Sequence, residues 1–199
     1  MDKEKKKYIF LISIVVMGII IGIVFSNILS DNDQVLVEEK LTNYFINIKN
    51  NKDINYLSNF LNSFLNNNTS LILIWILGLS IIGLVLNNFI LFFKSFTLGF
   101  GIGSIINIYL YKGIIGSLLY IFPHMLINIF VLIVLVYYAN NFSIKLFRQL
   151  FLKKEIKFQE IMKKYLKILL YAFIVLLVSS LLETFLSPII IKLFTFMIN

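Results

Sequence analysis

Long apolar runs separated by short polar stretches dominate the pattern of this 199-residue chain. A run of about 20 apolar residues is long enough to cross a bilayer as a helix. The pattern predicts five such spans, the first of them after a lysine-rich head. They are residues 8–29, 71–89, 95–111, 114–139 and 168–186. The expected fold is therefore all-α, a polytopic transmembrane helix bundle that forms a single integral membrane domain over residues 1–199.

A polar segment, residues 30–70, separates the first two predicted spans. Apolar residues recur within it at three- and four-residue spacing, which is the period of a helix. The segment therefore predicts two amphipathic helices that are broken near residues 50–53. Such helices can rest on the membrane surface or on a partner protein. Alternatively, the two helices pack on each other as a hairpin, and the periodicity fits both arrangements equally.

The composition of the chain supports its assignment to the membrane. Hydrophobic residues make up 59% of the chain and charged residues only 14%, against about 25% charged residues in a soluble domain. The absence of cysteine excludes disulfides, thiolate metal sites and a cysteine nucleophile. The single histidine likewise excludes a multi-histidine metal site. We expect no catalytic, cofactor-binding or metal-binding residues, and no enzymatic activity.

The distribution of lysine and arginine predicts the orientation of the chain. Five spans place the N-terminal head, Lys94 and the basic segment 143–167 on one side, which the positive-inside rule assigns to the cytoplasm. The N-terminus is then cytoplasmic, whereas segment 30–70 and the C-terminus are extracytoplasmic. Apolar residues among the charges of segment 143–167 predict an interfacial helix attracted to anionic lipid. Membrane lipid is thus the expected partner, and nucleic acid is not.

Two stripes of small residues stand out within the apolar runs. Gly18, Gly22 and Ser26 lie at four-residue spacing in the first span, and Gly99 and Gly103 do so in the third. Small residues at this spacing let helix backbones approach closely in lipid. The pattern favours packing within the chain for the second stripe. For the first stripe, packing within the chain and docking of a partner helix remain equal alternatives.

Pro123 and His124 interrupt the middle of the fourth predicted span. Proline inside a helix predicts a kink, and an ionisable residue within a span is a candidate for function. We interpret His124 as a neutral, hydrogen-bonded side chain that stabilises the kink. The alternative is a proton relay or a ligand site.

Glu183 is the only acidic residue within a predicted span, and Pro188 follows it near the end of that span. A carboxyl group in lipid has to be protonated, hydrogen-bonded or paired with a cation. The candidates are nearby serines and the side chains of Lys112 and Lys192. We interpret Glu183 as a polar clasp between the fifth helix and the bundle, rather than as part of an ion pathway.

Several stretches of this chain resemble one protein family over nearly the entire length. They include IWILGLSIIG at residues 74–83, the run 94–103 before a short glycine-rich helix, Pro123, and ETFLSP at residues 183–188. Together with the lysine-rich head and the outward segment, they are similar to the stage II sporulation protein M family of endospore-forming bacteria.

The resemblance implies a non-enzymatic membrane scaffold that acts in engulfment, in the septal and engulfing membrane of the mother cell. Such a scaffold holds stage II sporulation proteins D and P, whose outward domains degrade septal peptidoglycan. The stripe of Gly18 and Gly22 would then receive single-span partners, and segment 30–70 their outward domains. The alternative function is a membrane component of a peptide export, immunity or transport system, with Pro123, His124 and Glu183 along a path.

Overall fold

The computed structural model of the chain describes residues 3–50, 55–153 and 157–198 and is helical almost throughout. No strand occurs in those ranges, so the expected all-α class is confirmed. The helices are α1 (Lys3–Ile28), α2 (Asp31–Lys49), α3 (Tyr56–Gly78), α4 (Gly83–Leu152) and α5 (Phe158–Ile198).

Helix α4 consists of two arms that meet at Leu110, whose backbone has φ 52° and ψ −130°. We call residues 83–109 the first arm and residues 111–152 the second arm. The chain reverses sharply here, because a Cβ atom at Gly113 would lie 2.8 Å from the Cα atom of Ile106. Only glycine allows the two arms to approach so closely. The turn predicted between the third and fourth spans is therefore present, close to its expected position.

The turn predicted around residues 87–94 is wrong, and the real turn lies at residues 79–82, between α3 and α4. Ser80 helps to start α4, since its hydroxyl oxygen accepts a hydrogen bond from the Gly83 backbone N–H at 3.0 Å. Gly83 itself is required, because a Cβ atom there would collide with the Leu77 carbonyl oxygen. The predicted span 71–89 is thus divided between the end of α3 and the beginning of α4.

Polar residues in the wrongly predicted turn continue the helix because they bond to its own backbone. The Asn88 side-chain amide donates to the Leu84 carbonyl at 2.7 Å, and the Ser95 hydroxyl donates to the Leu91 carbonyl at 2.8 Å. Such bonds satisfy short polar side chains inside a helix that crosses lipid. The predicted span 95–111 therefore forms only the second half of the longer first arm.

Segment 30–70 forms two helices, α2 and α3, on either side of the predicted break, whose residues 51–54 lie outside the described chain. Ser30 and Asn55 cap these helices. Contrary to the prediction, the second helix does not end at Ser70 but continues to Gly78. Helix α2 packs mainly against α5 and α4, so the hairpin alternative is not the observed arrangement.

The basic segment 143–167 does not form the predicted separate interfacial helix. Its first part extends α4 to Leu152, and its last part begins α5. Lys153 ends α4 in a left-handed conformation with φ 48°. Across this junction the rings of Phe142 and Tyr165 stack with their centroids 4.9 Å apart. The basic residues therefore lie on two adjoining helix ends, which we call the basic end of the bundle.

Contacts between the helices show the direction of each one. The Lys7 ammonium donates to the Asn141 side chain at 2.7 Å, so the start of α1 lies at the basic end. Gly18 and Gly22 face Phe92 and Phe100 in that order, which makes α1 parallel to the first arm. Helix α3 runs antiparallel to α5, and α2 lies at the opposite end of the bundle, which we call the far end.

Among the described residues, four helical stretches are long and apolar enough to cross a membrane: Lys3–Ile28, Gly83–Leu119, His124–Leu152 and Phe158–Phe196. Helix α3 is not among them, because its first half is rich in asparagine and serine. The predicted span 168–186 is part of the longer α5, which continues through Pro188. Its continuation is anchored by Ile191 and Phe194, which are both buried.

The two stripes of small residues pack directly against each other. All five of their members are buried. A Cβ atom at Gly22 would lie 2.7 Å from the Phe100 backbone nitrogen, and one at Gly99 would lie 2.7 Å from the Ile19 Cα atom. We call this contact between α1 and the first arm the small-residue seam. For Gly18, Gly22 and Ser26, packing within the chain is thus the alternative that the structure shows.

Substitution of Gly99 by alanine tests the seam. Because the added methyl group would collide with the α1 backbone, we expect G99A to lower the free energy of unfolding by about 1–3 kcal/mol. The matched control is G101A, since a Cβ atom at Gly101 meets nothing within 4 Å. Alanine there should be neutral or stabilising by up to about 1 kcal/mol through helix propensity. Equal losses in both variants, measured by denaturation in detergent, would contradict the seam.

Candidate functional site

A network of polar side chains joins α3 to α5 and to the second arm inside the bundle. The Ser63 hydroxyl donates to Glu183 Oε2, and Asn67 Nδ2 lies 3.4 Å from the same oxygen and 3.3 Å from Ser180 Oγ. The Asn128 amide in turn donates to Asn67 Oδ1 at 3.1 Å. Helical spacing makes the network possible, because Ser63 and Asn67 share one face of α3 and Ser180 and Glu183 share one face of α5.

Glu183 therefore bonds to side chains of α3, where we had expected nearby serines or lysines. Of the serines on its own helix, Ser180 joins the network through Asn67, and Ser179 bonds elsewhere. Within the described ranges no lysine or arginine forms an ion pair with Glu183. Through the Asn67–Asn128 hydrogen bond, the network around Glu183 links three helices, which is the geometry of a clasp. The assignment of Glu183 as a purely structural group stays a prediction.

His124 is buried beside this network, with only 2% of its surface exposed. Its backbone carbonyl accepts a hydrogen bond from the Ser179 hydroxyl at 3.1 Å, which ties the second arm to α5. Helix α4 continues through Pro123, whose side chain lies outside the described part of the structure. The kink predicted at Pro123 and the role of His124 in it stay predictions.

Lys94 is the residue whose position differs most from expectation. Expected at a cytoplasmic turn, it instead lies within the first arm and is half-buried. It lines a partly open cavity of about 190 Å³ to which α3, both arms of α4 and α5 contribute. The polar residues that line this cavity include Ser63, Asn67, Lys94, His124, Asn128 and Glu183. A cation, a carboxylate and an imidazole thus meet in one space large enough for several water molecules.

A second cavity, of about 510 Å³, lies between α2, α3 and α5 towards the far end. Its lining is rich in asparagine. It shares Ser63, Asn66 and Glu183 with the first cavity, so Glu183 lies at their junction. Ionisable residues inside a span are expensive to bury and are candidates for function by default. This intramembrane site is the strongest such candidate in the described chain.

The arrangement can hold water or a small polar group, but its ligand set is not that of a metal centre. No group of three or more histidine, cysteine or acidic side chains occurs in the part of the chain that the structure describes. Sequence reasoning found His124 and Glu183 but missed Lys94, Ser63 and Asn67. The polar stripe of Ser63, Asn67 and Ser70 at three- and four-residue spacing was the available signal.

Comparison with known proteins identifies one family. The family model described as Stage II sporulation protein M matches residues 10–188 and so covers nearly the whole chain, including every residue of the intramembrane site. No curated protein and no solved structure matches the chain.

Replacement of Glu183 tests the clasp. In E183A, Ser63 and Asn67 lose their shared acceptor, and we expect the free energy of unfolding to fall by about 1–2 kcal/mol. The variant E183Q keeps an acceptor oxygen and should lose less than half of that amount. E38A removes an exposed carboxylate from α2. It serves as the control, in which we expect the free energy of unfolding to stay unchanged. Unfolding in detergent measures all three, and unchanged stability of E183A would contradict the clasp.

Proposed function

We propose, because this chain belongs to the Stage II sporulation protein M family, that it is a non-enzymatic membrane scaffold of the engulfment machinery. In this proposal it holds stage II sporulation proteins D and P in the septal and engulfing membrane of the mother cell, so that their outward domains degrade peptidoglycan there. The membership itself makes the chain a sporulation-related membrane protein, and its apolar helices fit a multi-pass arrangement.

The exposure of α2 is the observation that carries the scaffold proposal. Phe45 is its only buried residue, and the Phe45 ring contacts Tyr109 and Phe194 with centroid separations of 5.9 and 5.8 Å. Leu41 and Ile48 are partly buried beside Phe45, and most other residues of the 19-residue helix are exposed, including the apolar side chains of Val35 and Leu36. A helix that is anchored along one narrow apolar face and is otherwise exposed offers a long surface to an outward domain of a partner.

The charge of the chain supports the orientation that this proposal needs. Lysine and arginine are concentrated at the basic end, as the positive-inside rule requires of a cytoplasmic end. Helix α2 at the far end carries Asp31, Asp33, Glu38 and Glu39. In the proposed orientation, α2 is therefore extracytoplasmic, on the side where peptidoglycan hydrolysis takes place.

The surface first expected to receive single-span partners is not available to them. Gly18 and Gly22 are covered by the first arm in the small-residue seam. The opposite face of α1 is exposed and apolar, with Val16, Ile20 and Val24 about half exposed. We therefore assign single-span partners in the scaffold proposal to this opposite face, where van der Waals contact can hold two helices together in lipid.

The intramembrane site favours a second candidate function. Lys94, His124 and Glu183 line a cavity that shares Ser63, Asn66 and Glu183 with the larger cavity towards the far end. A polar path of this kind is typical of membrane transport proteins. The chain would then be a membrane component of a peptide export, immunity or transport system, and Lys94, His124 and Glu183 would carry its activity.

Substitution of the apolar side chains on α2 tests the scaffold function. We expect V35S/L36S to reduce co-purification of the two hydrolases about tenfold and to block septal thinning, without change in the amount of protein in the membrane. The control, L150S/F151S, removes equally exposed apolar side chains at the basic end. If gently solubilised sporulating cells yield neither hydrolase with the unmodified chain, the scaffold proposal fails.

The two candidate functions differ in what they require of the intramembrane site. The variants K94Q and E183Q leave α2 intact, so the scaffold function predicts normal engulfment and normal hydrolase binding. The transport function predicts that both variants lose transport activity although normal amounts of protein accumulate in the membrane. Microscopy of septal membranes in the two strains, with co-purification from the same cells, separates these outcomes.

A further inference from the structure

A pocket of about 660 Å³ lies at the basic end, between the start of α1, the second arm and the start of α5. All three helices contribute basic side chains to its lining. These are Lys7, Lys145, Arg148 and Lys164. Lys145 and Arg148 are three residues apart and so lie on one face of the second arm. Lys164 lies on α5, which runs antiparallel to that arm.

The pocket carries a net positive charge that its own acids do not neutralise. Glu4 and Glu160 also line it. Glu4 lies 3.4 Å from the Lys7 ammonium, and Glu160 lies 3.2 Å from the ammonium of Lys157, which is outside the pocket. Lys145, Arg148 and Lys164 form no ion pair within the described ranges. Three cations of the pocket are therefore available to an anion.

The floor of the pocket is aromatic. Tyr137, Tyr138, Phe142 and Tyr165 line it, and the Lys164 ammonium lies 5.5 Å from the centroid of the Tyr138 ring. The Tyr137 ring stacks on that of Tyr8 at 4.3 Å. Tyrosines typically lie at the level of the lipid headgroups. A pocket with cations beside tyrosine rings therefore fits the headgroup region of a bilayer.

From this combination we infer that the pocket binds the phosphate-bearing headgroup of an anionic phospholipid. Basic pockets between transmembrane helices bind such headgroups, and the guanidinium of Arg148 can donate two parallel hydrogen bonds to a phosphate. The aromatic floor favours a lipid over inorganic phosphate or glycerol phosphate, because a lipid has apolar parts to place against it. Phosphatidylglycerol is a suitable probe, since it joins one phosphate to two acyl chains.

Lipid titration of the purified full chain in a zwitterionic detergent tests the inference. We expect phosphatidylglycerol to bind and to raise the unfolding temperature, whereas phosphatidylcholine should not. In K145Q/R148Q/K164Q the affinity for phosphatidylglycerol should fall by roughly a hundredfold. The reason is that each of the three cations contributes about equally to the binding free energy. The charge-conserving variant K145R/K164R should keep its affinity within about threefold of the unmodified chain.

The matched control removes three charges from the same end but outside the pocket. Lys5, Lys163 and Lys167 are exposed and do not line it, so K5Q/K163Q/K167Q should retain affinity within about threefold. An equal loss of affinity in both triple variants would show that binding depends on the overall charge of the basic end, and would overturn the assignment to the pocket. Unchanged affinity in K145Q/R148Q/K164Q would also overturn that assignment. Equal stabilisation by soluble glycerol 3-phosphate would assign the pocket to free phosphate compounds and overturn its assignment to lipid.

Discussion

The small-residue seam between α1 and the first arm is the contact on which the rest of the bundle depends. In lipid, helices gain no hydrophobic energy from association, so backbone contact has to supply van der Waals attraction. Gly22 and Gly99 make that contact possible. Once Ser95 and Gly99 face α1, the neighbouring residues Lys94 and Leu98 face the interior and line the cavity. The seam thus orients the first arm and, with it, the intramembrane site.

Hydrogen bonds between side chains then hold the other helices to this frame. Asn67 bonds to Asn128 in the middle of the bundle, and the Ser143 hydroxyl donates to the Gly78 carbonyl at 3.0 Å near the basic end. Backbone groups inside the membrane are already satisfied within the helices, so these side chains supply the specific contacts. Helix α2 lies outside this frame and packs on α5 and α4 through Phe45, Leu41 and Ile48. The bundle therefore carries one helix that is mostly exposed.

Local sequence patterns were sufficient for the helical class, for the two helices of segment 30–70 and for the reversal near Gly113. The turn at residues 79–82 could not be predicted, because its residues are mostly apolar and the stretch 87–94 is more polar. Tertiary contacts favour a helix rather than a turn at residues 87–94. For example, the Asn88 side chain accepts a hydrogen bond from the Asn140 amide at 2.9 Å. The same error hid the contribution of Lys94 to the candidate site. Glu183 was recognisable as a carboxylate within an apolar run, but Lys94 had been assigned to a loop.

Photocrosslinking along α2 in sporulating cells tests the central claim, that the exposed helix positions partner proteins. A photoreactive residue would replace Val35, Glu39 and Asn43, which are exposed, and Phe45, which is buried. The account predicts crosslinks to septal peptidoglycan hydrolases from the exposed positions during engulfment and crosslinks from Phe45 only within this chain. Crosslinks to lipid alone from all three exposed positions would contradict it.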